Sequence, residues 1–140
     1  MATTTATFTL TSDAIPGNAI NISKSMNMHK LGSATGLEET SGLHAKKFAA
    51  TSAVSVIEQD EYTDTKASKV YMRNTGTSAT AFFYVAKHAS AAAADTDGET
   101  IGKLYGGDWM LIPYLGDVNI TVAPSTTDDM TLEWMVFVEN

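Results

Sequence analysis

The chain contains no cysteine. That excludes disulfides, thiolate-held metal centres and a cysteine nucleophile, and it describes a chain able to fold in a reducing cytoplasm. Proline is scarce, at three in 140 residues, and no Pro/Ser-rich linker divides the sequence. Long apolar runs are missing as well. The low-polarity run Ala89 to Ala94 is mostly alanine and far shorter than the roughly 20 residues of a membrane-spanning helix. The opening residues, Met1-Ala2-Thr3-Thr4-Thr5, contain no basic segment leading into an apolar one, so no secretory leader is expected. Bases are outnumbered: 16 acids face 9 bases, a net charge of −7. A surface of that sign repels phosphate, and neither nucleic acid nor membrane is expected as a partner.

What is present suits a packed core. Hydrophobic residues make up 44% of the chain, an ordinary share for a globular protein. At this length one domain spanning residues 1–140 is expected, with residues 1–18 as an N-terminal arm and 32–42 as a loop excursion. Thr, Ala, Ser and Gly dominate the first half, whereas β-branched and aromatic residues gather after Lys69.

Alternation of period two, the mark of a strand with one buried face, recurs along the chain. Phe8 and Leu10 alternate with Thr7, Thr9 and Thr11. Ile20, Ile22, Met26 and Met28 share a face that Lys24 interrupts, which marks an edge strand or a bulge. Val54 and Val56 alternate with Ala53 and Ser55, and Ile57 breaks the pattern. Val70 and Met72 oppose Tyr71 and Arg73. Ala81 to Lys87 and Trp109 to Pro113 are apolar on both faces, as central strands are. Val118, Ile120 and Val122 alternate, and Met130, Leu132, Trp134, Val136 and Val138 form the longest stripe. Turn residues separate these runs: Pro16-Gly17-Asn18, Asn74-Thr75-Gly76-Thr77, Asp97-Gly98, Gly106-Gly107 and Leu115-Gly116-Asp117. Gly32 to Gly42 reads as a long loop, and Ser90 to Asp95 as a loop or one helical turn. Together these features predict an all-β, antiparallel β-sandwich or jelly-roll-like barrel with an extended N-terminal segment and one long loop.

Chemistry-bearing motifs are few. Asp95-Thr96-Asp97-Gly98-Glu99 has alternate carboxylates that suit calcium, but it lacks the later ligands and distal Glu of an EF-hand, and an acidic turn is the simpler reading. His29, His44 and His88 stand singly, without the i, i+4 spacing of a helical metal site. No G-x-S-x-G elbow, phosphate-binding loop or G-x-G-x-x-G is present. Trp109, Tyr114 and Trp134 are candidates for a sugar-stacking platform, with core and interface packing as the favoured role. No cofactor, no resident metal and no catalytic residue is expected.

From Lys69 onward the chain resembles small virion structural proteins of tailed bacteriophages, those of marine phages and cyanophages especially. The resemblance rests on Val70-Tyr71-Met72-Arg73-Asn74, on Ile101-Gly102-Lys103-Leu104-Tyr105-Gly106-Gly107-Asp108-Trp109-Met110-Leu111-Ile112-Pro113-Tyr114, on Asp117-Val118-Asn119-Ile120 and on Leu132-Glu133-Trp134-Met135-Val136-Phe137. It covers about half of the chain, and nothing before Lys69 takes part. It implies a non-enzymatic capsid decoration or cement protein, made in the host cytoplasm and ending in the virion. The implied partners are the major capsid protein or other virion proteins, and further copies of the chain in a homo-oligomer. A tail, neck or fibre component and a carbohydrate-binding β-sandwich are the alternatives; a hydrolase ranks last. Contacts are expected at Thr3, Thr5, Thr7, Phe8 and Thr9, through β-augmentation of a neighbouring sheet edge, and at Leu37, Glu38 and Glu39 in the loop.

Overall fold

The computed structural model describes residues 4–13, 20–29, 37, 39–62, 68–88 and 99–139. Eleven strands are seen among them: β1 (Thr4–Ser12), β2 (Ile20–Met28), β3 (Glu39–Thr40), β4 (His44–Phe48), β5 (Val54–Ile57), β6 (Ser68–Asn74), β7 (Phe82–His88), β8 (Thr100–Tyr105), β9 (Trp109–Tyr114), β10 (Asn119–Pro124) and β11 (Met130–Val138). Every pairing is antiparallel. The expected all-β class holds. The sheets are open, so the architecture is the sandwich and not the closed barrel. None of the described residues forms a helix long and apolar enough to cross a membrane.

One sheet runs β5-β10-β7-β8, and the other places β3 and β4 along β11, followed by β6 and β9. Consecutive strands mostly change sheet: β5 to β6, β6 to β7, β8 to β9, β9 to β10 and β10 to β11 all cross over. Only β7 and β8 are sequence neighbours that pair within these two sheets. Gly106-Gly107 is therefore a reversal between sheets, not the tip of a two-stranded hairpin.

The core lies between the sheets because each central strand sends its apolar alternation inward. Val70 and Met72 of β6, Phe83 and Val85 of β7, Ile120 and Val122 of β10, and Leu132, Val136 and Val138 of β11 are buried in one cluster. Phe48 meets Phe83 edge-on within it, with ring centroids 5.3 Å apart. Trp134 packs at the margin of this cluster, and the His44 ring stacks on it with centroids 5.3 Å apart.

Two departures from simple alternation have a clear physical cause. Ile57 pairs with Ile120 while Ser55 pairs with Thr121, so Val56 is an extra residue. That bulge returns Ile57 to the core face, where it is 1% exposed. A second shift pairs Val85 with Gly102 and Ala86 with Thr100. Ile101 is the extra residue there and stays exposed, on an edge strand that the bulge makes a poorer template for pairing.

Three strands were not evident from the sequence. β4 buries only Phe48, β8 buries only Leu104, and β3 has two residues. The last lies inside the stretch expected to be all loop and pairs Glu39 and Thr40 with Val138 and Phe137.

Candidate interaction surface

β1 and β2 form a two-stranded ribbon of their own. Their register is unbroken, from Thr4 opposite Met28 to Ser12 opposite Ile20; Lys24 causes no bulge. Neither strand pairs with any other strand among the described residues. Period-two geometry sorts the side chains onto two faces. Thr5, Thr7, Thr9 and Thr11 share one face with Asn21, Ser23, Ser25 and Asn27. Across it, the Thr5 hydroxyl donates to Asn27 Oδ1 at 2.9 Å, and Thr7 and Ser25 hydroxyls meet at 3.0 Å. Thr9 and Ser23 lie at the limit of bonding, 3.5 Å.

The opposite face carries Ala6, Phe8, Leu10, Ile20, Ile22, Met26 and Met28. Met28 is buried at the ribbon's base, but Phe8, Leu10, Ile22 and Met26 are each more than 40% exposed. Full burial of such a side chain is worth about 1.5–3 kcal/mol. Covering what remains open would thus release roughly 1 kcal/mol per residue. Lys24 stands opposite Phe8 in the middle of this face, exposed and without an ion-pair partner among the described residues.

A groove of about 780 Å³ separates the ribbon from β9. Ala6, Phe8, Lys24 and Met26 line one wall, and Asp108, Trp109 and Leu111 line the other. Among the described residues β9 pairs only with β6 and forms an edge of its sheet. Its odd residues point away from the core, leaving Trp109 50% exposed at the groove. On the sheet's outer face Met135, Tyr71 and Leu111 are successive cross-strand neighbours, forming a half-buried apolar row that ends at the groove.

The turn that presents Trp109 is held from beneath. Tyr105 N–H donates to Asp108 Oδ2 at 3.0 Å, and Asp108 N–H donates to Tyr105 O at 2.9 Å. Asn74, 1% exposed, ties this turn to β6. Its side-chain amide donates to Leu104 O at 3.0 Å, its Oδ1 accepts from Gly76 N–H at 3.0 Å, and its backbone bonds both Gly107 and Asp108. Gly107 takes φ of +88°, where a side chain is disfavoured.

The anticipated contact residues thus fall on two separate surfaces. Thr5, Thr7, Phe8 and Thr9 gather on the ribbon, with Phe8 on the face opposite the threonines. Glu39, exposed in β3, sits at the sheet edge opposite β9, and Leu37 is half-buried. Thr3 and Glu38 lie outside the described residues, as do Asp95 and Asp97 of the calcium candidate. Trp109, expected in core or interface packing, is half exposed, so it is not part of the core. The signal was present in the sequence, since Trp109 alternates out of phase with the inward-facing Met110, Ile112 and Tyr114.

Of the aromatic candidates, Tyr114 is buried. Its hydroxyl donates to Val118 O at 2.8 Å. Burial, then the nearby carboxylates of Asp117, Glu61 and Asp60, push its pKa up to about 12. His44 Nε2 lies 3.1 Å from Ser41 O and His29 Nδ1 lies 3.1 Å from Asn27 O. Among the described residues, no three His, Asp or Glu side chains are grouped to hold a metal ion. In comparisons with known proteins, the chain matches no protein family, no curated protein and no solved structure.

Proposed function

We propose that the chain is a structural, non-enzymatic subunit of a bacteriophage virion, a decoration protein held on the major capsid shell by protein–protein contacts. The observation that supports this reading best is the β1–β2 ribbon. It is a long paired element with little charge, and neither of its strands pairs with a third strand among the described residues. The edge of such a ribbon can add to a sheet of another subunit through main-chain hydrogen bonds. The polar ladder of Thr5, Thr7 and Thr9 makes it compatible with water until it does so. The test is to mix the purified protein with capsid shells that lack it and to follow co-sedimentation and shell melting. Stoichiometric binding with a raised melting temperature supports the proposal. A folded protein that leaves shells untouched refutes it, and binding to tails instead would move it to the tail or neck.

Trp109 favours a second reading. Half exposed beside Asp108 at the groove, it has the stacking face and the carboxylate neighbour of a sugar site. Saturable quenching of Trp109 fluorescence by host-surface oligosaccharides, lost in Trp109→Ala, would establish a carbohydrate-binding module.

A further inference from the structure

We propose that the apolar face of the β1–β2 ribbon and the groove beside it are a self-association surface, occupied by the ribbon of a second copy of this chain. This goes beyond attachment to a shell, which would use the ribbon's main-chain edges, and it concerns the purified protein alone.

The need for a cover comes from the ribbon itself. A two-stranded antiparallel pair is marginally stable at best in water. Here the face that would stabilise it is exposed along most of its length, at Phe8, Leu10, Ile22 and Met26. Single exposed apolar residues need no explanation, but four on one face, two of which (Phe8 and Met26) line a groove with the half-exposed Trp109, mark a contact.

Charge points to a second copy. The chain carries −7, so two copies repel each other over most of their surfaces. The described ribbon residues include only Asp13 and Lys24 as charged groups. This near-neutral surface is where two acidic molecules can approach, and depletion of charge is the mark of an interface centre. Among the described residues Lys24 has no ion-pair partner, while Asp108 lies on the far wall of the same groove. A ribbon entering from a two-fold related copy can bring its Lys24 to the first copy's Asp108 and receive the reverse contact, as a self-complementary interface requires.

Size then fixes the arrangement. Nine residues at about 3.4 Å each make a face roughly 30 Å long, and two strands make it roughly 10 Å wide. That is well short of the roughly 800 Å² per partner in a typical stable interface. Stacking of two ribbons alone is therefore insufficient. The groove walls, Trp109 and Leu111 above all, must join the contact, with the two ribbon faces meeting along their length and side chains of each reaching the other copy's groove.

The absence of native cysteine gives a direct test. Single cysteines are placed at Leu10 or Ile22 on the apolar face and at Thr9 or Ser23 on the polar face of the full-length protein, and each variant is treated with a short bismaleimide. Mass photometry and sedimentation velocity measure the native protein and Ile22→Lys across a concentration series. Expected are a dimer for the native protein, cross-linked dimers from Leu10→Cys and Ile22→Cys but not from Thr9→Cys and Ser23→Cys, and dissociation at least tenfold easier for Ile22→Lys. Circular dichroism of Ile22→Lys should match the native protein, since the sandwich core does not include residue 22. A monomer at all concentrations overturns the proposal, as does cross-linking through the polar face alone. Loss of shell binding with dimerisation intact would count against the virion role only. Shell binding by a strict monomer, with Leu10→Cys cross-linking only to shell subunits, would count against self-association only.

Discussion

Replacing Asn74 with alanine should be among the most damaging single polar substitutions in this protein. The residue is 1% exposed, and its side chain makes two hydrogen bonds, to Leu104 O and from Gly76 N–H. Alanine removes both partners' bonds at once. An unsatisfied buried group costs about 1–3 kcal/mol. Leu104 O is left facing the core, whereas the half-buried Gly76 N–H can recover part of its loss from water. A total of roughly 2–4 kcal/mol follows, a large part of the 5–15 kcal/mol typical of a folded domain. For a chain of this length that lowers Tm by roughly 10 °C. Urea unfolding followed by tryptophan fluorescence and far-ultraviolet circular dichroism measures it. Asn74→Asp sharpens the test, because it keeps an acceptor for Gly76 but sets a carboxylate against Leu104 O. Its carboxyl pKa should rise in the folded state, so its deficit should shrink as pH falls and the acid becomes a donor. A loss below about 0.5 kcal/mol for Asn74→Ala, or an Asn74→Asp variant indifferent to pH, would refute the account of Asn74 as the tie between β6 and the turn that presents Trp109.

Other substitutions probe the same frame. A Cβ on Gly106 would stand 2.5 Å from Ser78 N and 2.7 Å from Ser78 O. These are backbone atoms that cannot swing aside, so Gly106→Ala should cost about 1–3 kcal/mol in chemical denaturation. Leu132→Ala, at a fully buried position, should cost roughly 2–5 kcal/mol with an unchanged denaturant slope. Tyr114 gives a pH signature. Its folded pKa of about 12 lies above the ordinary 10.0, so its neutral form is favoured by folding. That contribution is complete below pH 10 and is lost as pH rises toward 12, on the order of 2 kcal/mol. Ultraviolet titration of tyrosinate, compared between the native protein and Tyr114→Phe, checks the assignment.

The central strands were legible because their alternation and their burial coincide. In β6, β10 and β11 the apolar phase of the sequence is the core phase of the structure. Elsewhere the two separate. Ile57 looked like a flaw in a strand until the extra residue at Val56 restored it to the core. β4, with His44, Lys46 and Lys47 in five residues, offers too little apolar signal to show as a strand, although it lines β11 and supplies Phe48. The ribbon is the opposite case. Phe8 and Leu10 alternate as regularly as Val70 and Met72, yet one pair is exposed and the other buried. Alternation reports that a face is apolar; what covers that face depends on the rest of the fold. The candidate site was legible as residues for the same reason, and not as a surface. Trp109 reaches the groove only because the reversal at Gly106-Gly107 crosses between sheets and leaves β9 at an edge.

The sandwich and the ribbon therefore obtain their order from different sources. Phe83, Val85, Leu132 and Val122 bury one another within a single chain, and nothing from β1 or β2 enters that cluster. The ribbon has nine cross-strand pairs but an apolar side still open to water. Its free energy of opening must be small in an isolated chain and must rise when the face is covered, because a ligand that binds only the ordered form stabilises it. Under the proposed self-association, ordering the ribbon is part of dimer formation. A surface that closes only against a partner keeps single copies of an acidic protein apart at low concentration and lets them join where they are crowded together.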